Sequence, residues 1–129
     1  MTKTDAWRRL AVETPEGATL LFDPSEVFYL EVDGHDTLLR TARKRPYRST
    51  RRIADLLARL PAPPFFRCHE SFVVNLARVR SIEAAGRDRR LRLDPPVNRL
   101  LPVARGRRGG AEQPVPRQRH RRTWPGVRT

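Results

Sequence analysis

The sequence predicts a mostly β chain with one short amphipathic helix. Short apolar runs, several of which alternate apolar and polar residues, recur between turn signals rich in Pro, Gly and Asp, and this pattern is typical of strands and hairpins. One segment instead has the helical period, with apolar residues at i, i+3, i+4 and i+7. These residues are Ile53, Leu56, Leu57 and Leu60. A length of 129 residues indicates a single domain with a modest core.

Two hairpins are predicted in the first third of the chain. Apolar runs at residues 9–13 and 18–22 flank a turn that contains Pro15 and Gly17, and a second pair of runs, residues 27–32 and 37–42, flanks Asp33-Gly34-His35-Asp36. Paired runs around turns of this composition favour antiparallel pairing. Between the hairpins we expect a turn or a single helical turn, and after them a basic connection.

The helix is predicted over residues 51–60, with Ser49 or Thr50 as its N-cap. Pro61 ends it, because Pro lacks the N–H that a further helical turn requires. Three more strands are predicted nearer the C-terminus, separated by Gly, Asp and Pro turn signals. They cover residues 79–84, 90–93 and 99–103.

The most informative stretch is residues 65–76, which read FFRCHESFVVNL and follow three closely spaced prolines. An apolar run bounded in this way predicts a buried strand that leads into a tight connection. Alternate side chains of a strand point to opposite faces, so Phe66 and Cys68 are expected on one face and Arg67 and His69 on the other.

The charge of the chain indicates an anionic partner. Lys and Arg number 27 against 14 Asp and Glu, which gives a formal net charge of +13. Nucleic acid is the first partner to consider, followed by an acidic membrane surface or an acidic protein, and the predominance of Arg favours nucleic acid. A GC-rich genome that supplies Arg wherever a cation is tolerated is the alternative explanation.

Composition divides the chain into three parts. Residues 1–8 are a short lead, residues 9–105 hold the predicted elements, and residues 106–129 are rich in Arg, Pro and Gly with few aliphatic residues. Such a tail cannot bury enough apolar surface to order itself and is predicted to be disordered. Residues 105–129 carry a net charge of +7, about half of the excess.

The stretch at residues 65–76 resembles the signature of the LytTR family of bacterial DNA-binding domains. The matching residues are Phe66, Arg67, His69, Ser71, Phe72, Val73, Val74 and Asn75. The resemblance extends from about residue 9 to about residue 107. It implies about ten short strands in several antiparallel sheets that form an elongated sandwich, with loops at the sheet edges entering successive major grooves of DNA.

The resemblance implies three places of contact with DNA. The first is the turn at residues 33–36, where His35 can donate to a base or a phosphate or can be an ordinary turn residue. The second is Glu70, where many relatives have Arg or Asn; a carboxylate can accept from a cytosine amino group or organise a neighbouring Arg. The third is Arg105, which can fork onto guanine, clamp a phosphate or belong simply to the tail.

Other residues of the signature have expected supporting roles. Arg67 and His69 are interpreted as structural or as contacting the DNA backbone, and Asn75 as bonding the chain reversal that follows it. A basic run leads into the helix and can either supplement phosphate binding or form a solvated face. Its members are Arg43, Lys44, Arg45, Arg48, Arg51 and Arg52.

Catalytic, metal and cofactor sites are not expected. Cys68 and His69 are adjacent, so on a strand they point apart and cannot act as a dyad. The three histidines, His35, His69 and His120, lack the spacing of metal ligands, and no Gly-rich phosphate loop or small-molecule site is apparent. A single cysteine and the lack of a signal peptide or of an apolar run of about 18 residues predict a soluble cytoplasmic protein with no membrane contact.

The hypothesis from sequence is a transcriptional regulator that binds double-stranded DNA sequence-specifically, at promoter repeats and as two protomers. The resemblance also implies a response regulator of a two-component system, although the usual receiver domain and C-terminal helix are not expected in these 129 residues. The chain can therefore be a stand-alone regulator or a piece of a longer one. An RNA-binding module, and a protein-interaction module or decayed paralogue, remain the alternatives.

Overall fold

Antiparallel β-sheet dominates the part of the chain that the structure describes. The computed structural model describes residues 9–104, which form ten strands, one α-helix and two 3-10 turns. The strands are β1 Leu10–Glu13, β2 Thr19–Phe22, β3 Tyr29–Asp33, β4 Asp36–Arg40, β5 Tyr47–Ser49, β6 Phe65–His69, β7 Phe72–Asn75, β8 Val79–Ala85, β9 Asp88–Leu93 and β10 Leu100–Val103. The helix α1 is Ile53–Ala58, and the 3-10 turns are Pro24–Glu26 and Leu76–Arg78. The predicted mostly β class with one short helix is confirmed.

The strands form three antiparallel sheets. The largest has the order β5-β4-β3-β7-β6, the second β10-β9-β8, and the third is the β1–β2 hairpin. In the large sheet, β3 pairs with β7, so that Leu30 lies opposite Val73. This pairing sets the β3–β4 hairpin beside the β6–β7 hairpin.

The five-stranded sheet is the middle layer of a sandwich and is buried on both faces. On one face its side chains pack with β8, β9 and β10. On the other face they pack with α1 and the β1–β2 hairpin. The first core contains Phe28, Tyr29, Phe66, Cys68, Phe72, Val74, Leu76, Val79, Leu91, Leu93 and Leu101. The second contains Leu10, Val12, Phe22, Val27, Leu30, Leu39, Ile53, Leu56, Leu60, Phe65 and Val73.

Strand β6 shows how alternation builds both cores. Phe66 and Cys68 enter the first core and Phe65 the second, because neighbouring side chains point to opposite faces. Arg67 lies opposite Val73 and follows Phe65 on that opposite face, whereas a register shift after Arg67 places His69 opposite Phe72, on the face of the first core. Both side chains are half-buried. The predicted facing is confirmed for Phe66, Cys68 and Arg67 and is wrong for His69, because the register shift breaks the alternation that the prediction assumed.

Two predictions around the helix are wrong. Residues 47–49 form strand β5 at the edge of the large sheet, where a basic connection was expected, and Ser49 is buried within it. The helix begins at Ile53 after Arg52, which makes no side-chain cap, so neither Ser49 nor Thr50 is its N-cap. The Oγ of Ser49 instead accepts a hydrogen bond from the N–H of Arg51 at 3.0 Å, which turns the chain out of the strand.

Asn75 holds the chain reversal after β7, as predicted. Its Oδ1 accepts a hydrogen bond from the N–H of Ala77 at 3.0 Å, and its Nδ2 donates to the carbonyl of Val27 at 2.9 Å. The side chain is 2% exposed, so both bonds replace water that a buried amide cannot reach. Asn75 thereby fixes the end of the large sheet opposite to the two hairpin turns described next.

Candidate nucleic-acid interface

The turns of two hairpins meet at one end of the five-stranded sheet. The β3–β4 turn is Gly34-His35, closed by the pairing of Asp33 with Asp36, and Gly34 has a φ of 66° that suits glycine. The β6–β7 turn is Glu70-Ser71. The N–H of Val32 donates to the carbonyl of Ser71 at 2.9 Å, so a main-chain bond ties the two turns together.

A shallow depression lies between these turns and the start of α1. It measures about 360 Å³. Its lining includes His35, Asp36, Arg52, Arg67 and Glu70. Three of the predicted site residues, His35, Arg67 and Glu70, are therefore brought together although they are far apart in sequence.

Arg67 supports the β6–β7 turn from inside. Its Nη2 donates to the carbonyl of Glu70 at 2.6 Å, and its Nε lies 3.4 Å from the carbonyl of His69. Because Arg67 holds the main chain of Glu70, the carboxylate of Glu70 stays exposed at the tip of the turn. The guanidinium thus presents the Glu70 side chain to the outside of the molecule.

His69 has a structural contact on each side of its ring. Its Nδ1 accepts a hydrogen bond from the N–H of Ser71 at 3.0 Å, which places the proton of the neutral ring on Nε2. The ring also meets Phe72 edge-on, with 5.9 Å between the ring centroids. His69 therefore shapes the turn and is only half-exposed.

Charges around the depression are closely balanced. Arg48 on β5 binds both carboxylates that flank the β3–β4 turn, those of Asp33 and Asp36, with 3.0 Å to Asp36. The hydrogen bonds that the Arg48 guanidinium donates to these carboxylates raise its pKa above the ordinary value. Asp36 and Glu70 in the lining face the cations of Arg52 and Arg67, so the depression itself has little net attraction for phosphate.

The basic run before the helix is split by strand β5. The exposed residues Arg43, Lys44 and Arg45 lie in the β4–β5 connection, at the end of the sheet away from the two turns. Arg48 and Arg51 are engaged in ion pairs, the latter with Glu13 at 3.4 Å. Arg52 reaches the depression. The residues of the basic run therefore lie in separate places and do not form a single surface, either for phosphate binding or for contact with solvent.

The chain returns to this end of the molecule through β10. The N–H of Ala104, the last described residue, donates to the carbonyl of Cys68 at 2.9 Å, two residues before Glu70. Arg105, the remaining predicted contact, lies outside the described residues, as do residues 1–8 and the predicted tail 106–129. Arg52 was named in the sequence analysis only as a member of the basic run and not as a site residue; its position just before the helix was the available signal.

The aromatic residues of the signature do not form a stacking surface. Phe65, Phe66 and Phe72 are 2%, 6% and 8% exposed, whereas RNA-binding sheets present such rings to bases. Within residues 9–104 no group of three or more His, Cys, Asp or Glu side chains could hold a metal ion. No helix of that part has the length and apolar character needed to cross a membrane.

The geometry defines a mostly β domain whose candidate ligand site is built from hairpin turns at one end of a buried sheet. The family model described as the LytTr DNA-binding domain matches residues 17–110. The chain therefore belongs to the LytTR family of DNA-binding domains. A solved LytTr DNA-binding domain from Bacillus cereus has the same fold, with a TM-score of 0.63 at 22% identity over 81% of this chain and 91% of that one.

Two curated relatives are transcriptional regulators by name. The transcriptional regulatory protein YpdB of Escherichia coli strain K12 is 37% identical over 59 residues, which are 46% of this chain and 24% of YpdB. The CO-responsive transcriptional regulator RcoM of Rhodospirillum rubrum is 33% identical over 87 residues, 67% of this chain and 36% of RcoM. The matched part of this chain thus spans about a quarter to a third of these relatives' lengths.

Proposed function

We propose that this chain is the DNA-reading part of a transcriptional regulator and binds double-stranded DNA sequence-specifically through its hairpin turns. The observation that carries the proposal is the juxtaposition of His35 and Glu70, both exposed, on turns joined by the bond between Val32 and Ser71. A turn of two residues is narrow enough to enter a major groove about 12 Å wide. Membership of a DNA-binding family and relatives named as regulators support this proposal.

Two residues are proposed to read bases directly. The imidazole of His35 donates to a base acceptor, and the carboxylate of Glu70 accepts from a cytosine amino group, the pairing that a carboxylate favours in the major groove. Arg67 acts through the Glu70 main chain as a positioning residue. His69 is a second positioning residue, because its ring holds the N–H of Ser71.

Arg105 is proposed as a third contact, which follows the strand that ends beside Cys68. In this proposal residues 9–105 are the reading domain and the cations of residues 106–129 add nonspecific attraction. Replacement of Arg105 by Ala is expected to cost about 1–3 kcal/mol on the preferred site and little on random DNA. An equal loss on both would make it a phosphate clamp only.

The test of the function is a comparison of duplexes for the full chain. Selection from a random pool yields a preferred duplex, and binding to it and to a scrambled duplex is then measured over a range of salt. We expect the advantage of the preferred duplex to persist as salt rises, because base contacts depend less on counterion release than phosphate contacts do. Equal affinity for both duplexes at every salt concentration would refute sequence-specific reading.

Variants of the two turns assign the base contacts. His35→Ala and Glu70→Gln are each expected to lower affinity for the preferred duplex by about 1–3 kcal/mol and to change affinity for the scrambled duplex far less. Both residues are exposed, so the fold should be unaffected. A variant that loses affinity equally on both duplexes would not be a base reader.

The proposed complex contains two protomers on one DNA with repeated half-sites. Sedimentation of the full chain with duplexes that carry one or two half-sites distinguishes the stoichiometries. Two protomers on the double site and one on the single site are expected. One protomer on both would contradict this part of the proposal.

A further inference from the structure

The β8–β9 hairpin ends at the same end of the molecule as the two turns. Its tip is Gly86-Arg87, closed by the pairing of Ala85 with Asp88, and Gly86 has a φ of 66°. The next residue of β9, Arg89, lies opposite Val103 of β10. The residue after Val103, Ala104, is bonded to Cys68 close to the β6–β7 turn.

The strand register limits the distance between the tip and the turns. Neighbouring paired residues have Cα atoms about 5 Å apart, and successive residues are about 3.8 Å apart. The path from Arg89 through Val103, Ala104 and Cys68 to Glu70 therefore spans at most about 21 Å. One turn of B-DNA rises about 34 Å, so the hairpin tip lies within one helical turn of a duplex placed against the Glu70 turn.

The side chains at the tip are available for an anion. Arg87 and Arg89 are both exposed, and neither forms an ion pair with another residue of the described part. Arg89 is on the same face of β9 as Leu91 and Leu93, the face toward the five-stranded sheet, but lies beyond the last buried residue. It therefore points to the side of β9 on which Cys68 and the β6–β7 turn lie.

Attraction of DNA phosphate to the depression requires cations from another part of the molecule. Its own charges cancel, and Arg48 is engaged with Asp33 and Asp36. Phosphate contacts nevertheless supply most of the nonspecific affinity of a DNA-binding protein and fix its register on the duplex. A pair of unpaired Arg residues one hairpin away meets this requirement.

We propose that the tip of the β8–β9 hairpin is a separate phosphate-binding contact, in which Arg87 and Arg89 hold the DNA backbone beside the groove faced by His35 and Glu70. The proposal rests on the proposed function, since it takes duplex DNA as the ligand. Arg fits this role because its planar fork matches two phosphate oxygens. Asp88, between the two, pairs across the hairpin with Ala85 and is on the opposite strand face from Arg89.

The experiment compares two charge-matched variants of the full chain. R87Q/R89Q removes the tip cations, and R43Q/R45Q removes two exposed cations from the β4–β5 connection at the far end of the sheet. Binding to the selected and scrambled duplexes is measured against salt. We expect R87Q/R89Q to weaken both duplexes by similar factors and to reduce the slope of log K against log salt by about 2, since each phosphate contact contributes about 0.9.

The control variant and a conservative variant distinguish a phosphate contact at the hairpin tip from a general effect of the protein's net charge. R43Q/R45Q is expected to leave the slope nearly unchanged, and R87K/R89K to retain most of it, because Lys still neutralises phosphate. An unchanged slope in R87Q/R89Q, or an equal change in R43Q/R45Q, would overturn the proposal. If the unaltered chain prefers the selected duplex, and R87Q/R89Q has the same affinities and the same salt dependence as the unaltered chain, the proposed hairpin contact is refuted and the proposed function stands. If the unaltered chain shows no preference, the proposed function fails.

Discussion

The guanidinium of Arg67 binds the main chain of the turn that carries Glu70, so its effect on DNA binding should differ from that of an ordinary surface cation. Arg67→Met keeps the apolar stem but removes the donors to the carbonyls of His69 and Glu70. We expect at least about a tenfold loss on the preferred duplex, since a bond from a charged donor is worth about 1.5–3 kcal/mol and a tenfold change corresponds to about 1.4 kcal/mol.

Arg80→Met serves as the matched control, because Arg80 is exposed on β8. It removes the same charge without touching a turn. Fluorescence anisotropy on the preferred and scrambled duplexes measures both variants. Equal losses from Arg67→Met and Arg80→Met on the preferred duplex would show that Arg67 acts only as a charge.

Asn75 stabilises the fold through two buried hydrogen bonds, so its replacement should lower the free energy of unfolding. Asn75→Ala leaves the carbonyl of Val27 and the N–H of Ala77 without their partner in a site that is 2% exposed. Each unsatisfied buried group costs about 1–3 kcal/mol, so we expect the free energy of unfolding to fall by about 2–4 kcal/mol. Urea unfolding followed by circular dichroism measures the loss, and a change below about 1 kcal/mol would contradict this account.

At the scale of single residues, some side-chain contacts could be predicted from the sequence and others could not. The bonding of Asn75 could be predicted, because an Asn side chain readily bonds the backbone two residues ahead. The hydrogen bonds of Arg67 could not, because its length lets it reach many acceptors and only the folded turn selects the carbonyl of Glu70. The place of Arg52 in the depression likewise depends on where the helix begins.

At the scale of elements, the short strand β5 changes the meaning of the basic run. It carries Arg48 to the carboxylates of Asp33 and Asp36, so this cation neutralises the β3–β4 turn. Arg48→Gln is expected to weaken duplex binding several-fold more than Arg45→Gln at low salt, although both remove one charge. The reason is that Arg48→Gln also releases two carboxylates beside His35, and these repel phosphate.

A compensating variant tests the same element. D33N/D36N in the Arg48→Gln background removes the repulsion, and binding should recover to at least that of Arg45→Gln. Affinity at low and high salt measures the effect, which should shrink as salt screens the exposed charges. Equal losses from Arg48→Gln and Arg45→Gln would mean that the ion pairs have no part in presenting the turn.

Element boundaries show where sequence reasoning stops. The three hairpins around residues 14–17, 33–36 and 86–87 could be predicted because turn residues and alternation coincide there. β5 is three residues long and contains too little alternation to be recognised. It is a strand because Ser49 pairs with Thr37 and Arg48 with Leu38 on the edge of an existing sheet.

At the scale of the whole molecule, half-exposed ion pairs connect separate elements and make the stability of the fold depend on pH in the acid range. Hydrogen bonds from Arg59 to Glu13, and from Arg92 to Glu83, hold the pKa of each carboxyl below its ordinary value. A carboxyl with a lowered folded-state pKa contributes stability above its unfolded pKa of about 4.3 and loses it as the pH falls through the folded pKa.

We therefore expect the melting temperature to be steady between about pH 6 and pH 5 and to fall below about pH 4.5. Thermal unfolding of the full chain across this range measures it. The variant E13Q/E83Q should melt lower than the unaltered chain at pH 6 and show a smaller further fall at pH 3. An unaltered acid dependence in that variant would exclude these pairs as its source.

The pairing of β3 with β7 is the feature of the whole molecule that sequence could not predict from the residues. It joins strands about forty residues apart, and neither strand contains a signal for its partner. The elongated sandwich of short sheets was predicted only from the resemblance to a known family. The pattern of the residues predicted the strands but not how they pair. Burial of both faces of the middle sheet follows from that pairing, because it closes the apolar strands into one layer.

The main-chain bond between Val32 and Ser71 has a consequence for changing the preferred target. It fixes the spacing of the two turns without using the side chains of His35 or Glu70, which are both exposed. These two positions can therefore be randomised while the cores and the scaffold stay intact. A library at residues 35 and 70 would therefore yield variants that prefer other DNA sequences while the scaffold is unchanged. Members of a family can change their target sequences in the same way, by substitutions at two exposed positions.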